Sequence, residues 1–438
     1  MSAPGRKRDP FGWLIRVAWG RRLETGLTLA TLVARVGLVW LLGNSLATFI
    51  LAIIGIGLVS QRSVREWMVG IYRREHLERH YAKVFDAVGI DQGAVPAVLG
   101  QFPTPSGMVL DLALSPRCTA KDLNSRTESL AVALGAASVR VRLNRQAAGR
   151  AQLIVANRDP LAGSAITWPW VGMGIGNERT HLWGGLPLGH DEDDGLVVLE
   201  LAGHHLLLGG EPGAGKSNAL SLVVAAAALD PDVELWCFDG KLVELATWRN
   251  SARRFVGSDL DDATDAMREL RTVMEDRYQY LLDRGLRKVD RETGLALIVV
   301  VIDELALYTQ GKGKVRDELV EVLRDIVARG RAAGIVVVAA TQKPASDIVP
   351  TSIRDLFGCR LAMRCSTRDA SDTVLGAGWA TEGYSASDID PTIRGVGYLL
   401  AEGSLPTRMR CFVLEDDHLH ALARRAEVLR GHSPEAGR

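Results

Sequence analysis

The sequence predicts an α/β protein: a mostly parallel sheet covered by helices on both faces, preceded by a small α+β domain and an N-terminal transmembrane helical hairpin. Three observations lead there. Apolar runs at 204–208, 233–238, 296–302, 335–340 and 359–364 are mostly separated by helical stretches. Continuous apolar strands of that kind belong to a parallel sheet buried on both sides. A glycine-rich turn at 210–217 joins the first run to an Ala/Leu-rich helical stretch, and the 34 residues Gly26–Val59 carry a single charge, Arg35. At 438 residues the chain is too long for one ordinary core. Its 52 basic and 52 acidic residues cancel, so net charge neither indicates nor excludes a polyanionic partner. The five cysteines (Cys118, Cys237, Cys359, Cys365 and Cys411) are scattered without CxxC spacing, which argues against a disulfide scaffold or a zinc module.

Taken in order, residues 1–62 form a basic N-terminus and the membrane hairpin. Residues 1–80 hold 12 Lys/Arg against 5 Asp/Glu. Gly26–Val59 exceeds the roughly 20 residues one span needs and is slightly short for two. Gly43-Asn44 offers a turn between Leu27–Leu42 and Ser45–Val59. Basic flanks on both sides (Arg6, Lys7, Arg8, Arg16, Arg21 and Arg22 before; Arg62, Arg65, Arg73 and Arg74 after) put both ends in the cytoplasm and require an even number of spans. One tilted span, or a buried hairpin in a soluble core, is the alternative. Residues 63–104 read as a charged helical stalk ending near a Pro/Gly-rich break at 103–107. Residues 105–165 read as the small α+β domain, with strands at 108–114, 138–143 and 151–156 and one amphipathic helix at Thr119–Leu134. The large α/β domain spans 166–428, and 429–438 is a tail.

The run Gly210-Glu211-Pro212-Gly213-Ala214-Gly215-Lys216-Ser217 fits GxxxxGK[ST] in the required context, after a strand and opening a helix. Glycines let backbone N–H groups curl around phosphate oxygens, and the helix N-terminus adds its positive dipole end. Lys216 would neutralise the β- and γ-phosphates, and Ser217 would ligate Mg²⁺. Gly210 to Ser217, with Asn218 in the first helical turn, form the candidate nucleotide-binding set. A carboxylate at the end of a neighbouring strand completes such a site, and "LIVVVIDEL" supplies one. Asp303 would hold Mg²⁺, and Glu304 would polarise the attacking water; an adjacent Glu favours a hydrolysing enzyme over a switch-like binder. A third strand ends in Thr341-Gln342, where Gln342 could sense the γ-phosphate. Residues 321–370 carry eight Lys/Arg against five Asp/Glu. Among these, Arg331 and Arg360 are the candidates for a finger that completes a neighbouring subunit's site.

These motifs together resemble FtsK/SpoIIIE-type DNA translocases. The resemblance rests on "GEPGAGKS", on "FDGKLVEL" at 238–245, on "AMRELRTVMEDRYQYLLDRGLRKV" at 266–289, on "VVVIDELALY", and on the stretch from "ARGRAAGIVVVAATQKP" to "DTVLG". It covers roughly 105–425, the small domain included. It implies a RecA-like core that uses ATP and assembles as a homo-hexameric ring around double-stranded DNA; with Mg²⁺ at the phosphate site and the hairpin at 26–59, the expected location is the cell membrane, multi-pass, with the motor domain in the cytoplasm. Division translocases of this type have more spans and a terminal winged-helix reader. Here Glu415 leaves 23 residues, enough for one helix and a tail. The layout is closer to the transfer ATPases of actinobacterial conjugative plasmids and integrative elements, so the expected role is DNA movement in conjugative transfer or chromosome segregation. The alternatives are a secretion motor of the same core fold acting on protein, and a non-hydrolysing membrane scaffold.

Overall fold

The computed structural model describes residues 79–90, 95–104, 106–143, 147, 149–172, 181–342, 344–345, 348 and 351–431, with isolated positions 36, 39 and 77. The expected membrane hairpin, apart from positions 36 and 39, and the stalk before position 77 lie outside these residues. Among the described residues no helix is long and apolar enough to cross a membrane. The chain divides into two compact units, before and after the Arg158–Asp159 bond.

In the first unit, β1 (Ala97–Thr104) and β2 (Gly107–Ala113) form a hairpin, followed by α1 (Ala120–Asn124), α2 (Thr127–Leu134), β3 (Ser138–Leu143) and β4 (Arg150–Ala156). The sheet is antiparallel in the order β1-β2-β4-β3. Two expectations change here. The Pro/Gly-rich break is the turn of the first hairpin, so the last residues assigned to the stalk are strand. Pro103 hid this, yet Pro is tolerated on an edge strand such as β1. The single helix expected at 119–134 is two. Thr119 and Asp122 make a capping box that starts α1. The Ser125 hydroxyl then donates to the Asp122 carbonyl and the Thr127 hydroxyl to the Asn124 carbonyl, local bonds that compete with helix propagation. The end of the stalk belongs to this unit: Tyr81 and Phe85, in its helical turns, are buried in one core with Val98, Leu110, Leu123 and Leu153.

The second unit contains β5 (Leu186–Asp191), β6 (Leu196–Leu199), β7 (Leu206–Gly209), α3 (Lys216–Leu229), β8 (Val233–Phe238), β9 (Arg254–Val256), α4 (Leu260–Asp283), β10 (Leu297–Ile302), α5 (Leu305–Thr309), α6 (Lys314–Arg329), β11 (Ile335–Thr341), β12 (Cys359–Met363), α7 (Arg368–Leu375), β13 (Val396–Leu400), β14 (Thr407–Cys411) and α8 (Asp416–Leu429). They build one sheet in the order β6-β5-β14-β13-β12-β7-β11-β10-β8-β9. From β12 to β9 every pairing is parallel, and β13, β14, β5 and β6 add an antiparallel flank. The mostly parallel sheet expected from the apolar runs is therefore present.

Burial on both faces explains those runs. Leu297, Val299 and Val301 of β10 pack on one side with α3 and α8. Ile298, Val300 and Ile302 pack on the other with α4 and α6. Each such side chain, fully removed from water, contributes about 1.5–3 kcal/mol before entropy is counted. Helix α3 is apolar all round because it lies between the sheet and α8, and Arg430, just past α8, donates to the carbonyls of Ala227, Ala228 and Asp230 at its end and of Val233 at the start of β8. Residues 159–163 join this unit through β14. Arg408 binds both Asp159 oxygens and Glu192, and Arg410 donates to the Leu161 and Gly163 carbonyls.

Candidate active site

The phosphate loop leaves the end of β7 and enters α3. Gly215 caps the helix at φ +110, and a Cβ there would lie 2.9 Å from Gly395, so both conformation and packing demand glycine. The loop is braced from two sides: the Gly395 N–H donates to the Ala214 carbonyl (2.9 Å) and the Glu211 N–H to the Arg364 carbonyl (2.8 Å). The Arg364 guanidinium returns to Glu211 at 3.0 Å. Lys216 is buried, and its Nζ donates to the carbonyls of Gly210 (2.7 Å) and Glu211 (2.9 Å). Burial lowers its pKa, opposed by the nearby Glu304 carboxylate.

Strand β10 lies two places from β7 in the sheet and ends at Asp303 and Glu304. Both carboxylates are buried. Burial, the first cause, together with Glu244, Asp239 and Glu304, pushes the Asp303 carboxyl up to about 6 against the pull of Lys241. Its Oδ2 has no hydrogen-bond partner among the described residues. A buried carboxylate oxygen without a described donor, with the acids Glu244, Asp239 and Glu304 around it and the Ser217 hydroxyl bonded to that same Glu244, is the chemistry a hard divalent cation selects. Ser217 and Asp303 thus fit Mg²⁺. Glu304 caps α5, and both its oxygens accept from the backbone N–H of Gln342 at 3.3 Å. The strand-end Gln342 therefore reaches this site through its main chain.

Two further residues belong to the site and received no role from sequence. Lys241 Nζ lies 3.7 Å from Glu304 Oε2. The Ser217 hydroxyl donates to Glu244 Oε1 at 2.9 Å. Both sit in the "FDGKLVEL" run after β8, the strand paired with β10; charged residues directly after a buried strand were the available signal. Asn218 is turned elsewhere: its side chain donates to the Phe412 carbonyl and accepts from the Leu414 N–H, so it ties α3 to the end of β14.

The candidate finger residues lie near the N-terminal ends of the parallel strands, opposite the phosphate loop. Arg360 is only 15% exposed and donates to the Phe357 and Leu375 carbonyls. Arg331 is 41% exposed, paired with Glu402 at 2.9 Å and donating to the Gly203 carbonyl. Arg331 is thus the more exposed of the two.

A glycine-rich loop at a helix N-terminus, a lysine within it, and an Asp-Glu pair at the end of a nearby parallel strand define a P-loop NTPase domain. The FtsK/SpoIIIE family model matches residues 179–296, a stretch that holds the phosphate loop. It is 29% identical over 272 residues to the DNA translocase FtsK of Pseudomonas putida, covering 54% of this chain and 31% of that protein. To the DNA translocase FtsK of Pseudomonas syringae pv. tomato it is 30% identical over 283 residues, covering 56% and 34%. The chain thus matches about a third of the length of these relatives. Among solved structures, the pCW3 conjugation coupling protein TcpA, a monomer with ATPγS, shares the fold at a TM-score of 0.53 and 18% identity, over 81% of this chain and 99% of that one.

Proposed function

We propose that this protein is an ATP-driven double-stranded DNA translocase, acting as a membrane-anchored homo-hexamer in conjugative transfer or chromosome segregation. The observation that carries the reading is one site: Lys216 and Ser217 on the phosphate loop, with Asp303 and Glu304 after a strand two places away in the same sheet, in a chain whose residues 179–296 match the FtsK/SpoIIIE family model. DNA as the substrate is supported by the relatives named DNA translocases.

The chain's own residues divide the work. Backbone N–H groups of 213–217 and the α3 dipole would bind the phosphates. Lys216 would exchange its two carbonyl partners for phosphate oxygens. Ser217 and Asp303 would hold Mg²⁺, which when bound supplies charge to offset the triphosphate. Glu304 would orient and polarise the attacking water, and an arginine from the adjacent subunit, Arg331 foremost, would meet charge developing on the γ-phosphate.

Anchorage is supported by the 26–59 stretch and its basic flanks. In a cysteine-free background, a cysteine at Asn44 should react with a membrane-impermeant thiol reagent on intact cells, and one at Ser2 should not. Labelling at Ser2 would replace the hairpin with a single span. For the main reading, the test is ATP turnover of the full chain in detergent with duplex, single-stranded or no DNA. Duplex should stimulate turnover, increasingly with length. A rate indifferent to DNA would favour a protein-moving motor instead.

A further inference from the structure

Asp239, at the end of β8, is fully buried, and its carboxylate organises the loop that follows: Oδ1 accepts from the Lys241 N–H at 3.2 Å and Oδ2 from the Leu245 N–H at 2.9 Å. Held this way, the loop sends its residues in two directions. Leu242 and Val243 are 50% and 69% exposed. Lys241 and Glu244 turn to the site, one to Glu304 and the other to Ser217. Between them Leu242 sits at φ +57, a left-handed conformation that is unfavourable for a non-glycine residue and persists where surroundings over-determine it.

The two inward contacts have distinct chemical consequences. A serine hydroxyl has one proton and two lone pairs. With its proton directed to Glu244, Ser217 keeps both lone pairs for a cation, the arrangement by which outer groups orient metal ligands. Glu304 is held on one side by the Gln342 N–H and attracted on another by the Lys241 ammonium. Its carboxylate is thereby restricted in rotation, which a group that must aim a water requires.

We propose that the loop after β8 supplies two positioning residues for hydrolysis: Lys241, which fixes the Glu304 carboxylate, and Glu244, which turns the Ser217 hydroxyl toward the cation accompanying the nucleotide. This rests on the ATPase reading above, and the test separates the two. Lys241 is 39% exposed, so its replacement does not threaten the fold. In the full chain, Lys241→Met should lower kcat about tenfold or more with KM for ATP within about threefold, the signature of an interaction used after binding. Lys241→Arg, which keeps the charge, should recover most of that loss. Wild-type kcat in Lys241→Met, or no recovery in Lys241→Arg, would overturn the role of Lys241. For Glu244 the readout is binding of a fluorescent ATP analogue titrated with Mg²⁺, in a Glu304→Gln background. Glu244→Leu, which leaves the Ser217 hydroxyl without this acceptor, should raise the Mg²⁺ concentration required about tenfold or more; an unchanged requirement would overturn its role. A wild type that binds the nucleotide and never hydrolyses it would sink the ATPase reading and Lys241 with it, while the Mg²⁺ titration would still decide Glu244.

Discussion

Asp303 and Glu304 are neighbours with different surroundings, and their substitutions should therefore differ. Asp303 has an oxygen without a donor among the described residues, and a raised pKa; Glu304 is held by Gln342 and Lys241. Glu304→Gln keeps the size and the Gln342 contact but loses the base, so ATP should still bind while turnover falls about 100-fold or more. Lys216→Ala should remove turnover altogether and leave the fold intact. Equal turnover in wild type and Glu304→Gln would remove the assignment of Glu304. A second prediction concerns His205, fully buried before β7, whose Nδ1 accepts from the Val337 N–H at 2.9 Å. Burial, then Arg331, lowers its pKa to about 4. Since the unfolded value is about 6.5, its contribution to stability is present above that pH and declines as pH falls toward 4, by on the order of 2–3 kcal/mol. Asp303, with its raised pKa, acts in the opposite sense over much of this window. The measurement is thus the thermal midpoint at pH 7 and pH 5 in an Asp303→Asn background, with and without His205→Asn. Loss of His205 should flatten the acid decline, and identical slopes would contradict the assignment.

At the scale of elements, what could be read from sequence was what is local in it. The phosphate loop is contiguous, and strands buried on both faces announce themselves as unbroken apolar runs, so β8, β10, β11 and β12 lie close to where the runs placed them. Edge strands lack that signature, and β1, with Pro103 in it, was read as stalk and break. The pairing of Lys241 with Glu304, 63 positions apart in sequence, exists only because β8 and β10 are adjacent. For Arg360, strand position does not reveal that the side chain folds back on two carbonyls of its own chain. Arg277 and Tyr278, adjacent in the 266–289 run and carried on α4, also become intelligible here. Arg277 is buried and donates to the carbonyls of Ala296, Ala333 and Gly334, before β10 and β11, and the Tyr278 hydroxyl donates to the Arg329 carbonyl at the end of α6. Arg277→Met would leave these carbonyls without the charged donor and should destabilise the α/β unit by about 3 kcal/mol. That would be seen as a lower denaturant midpoint for the tryptophan signal, since Trp236 and Trp248 are buried in this unit. An unchanged midpoint would mean that α4 is held by its apolar face alone.

For the whole molecule the proposed ring makes the site a shared one, with phosphate-binding groups from one subunit and an arginine from the next. A subunit lacking Lys216 can still lend its arginine, and one lacking Arg331 can still bind ATP. Mixing Lys216→Ala with Arg331→Ala chains should therefore restore part of the turnover that each lacks alone. Rings that form from the mixture without any recovery would dismiss Arg331 as the finger. The central claim is that ATP turnover moves the protein along duplex DNA, and displacement of a short third strand from a triplex placed at the end of a long duplex reports that movement directly. The account predicts release of the third strand with ATP and Mg²⁺, faster than spontaneous loss, and no release with Glu304→Gln. A wild-type chain whose turnover is stimulated by duplex but which never releases the third strand would contradict it.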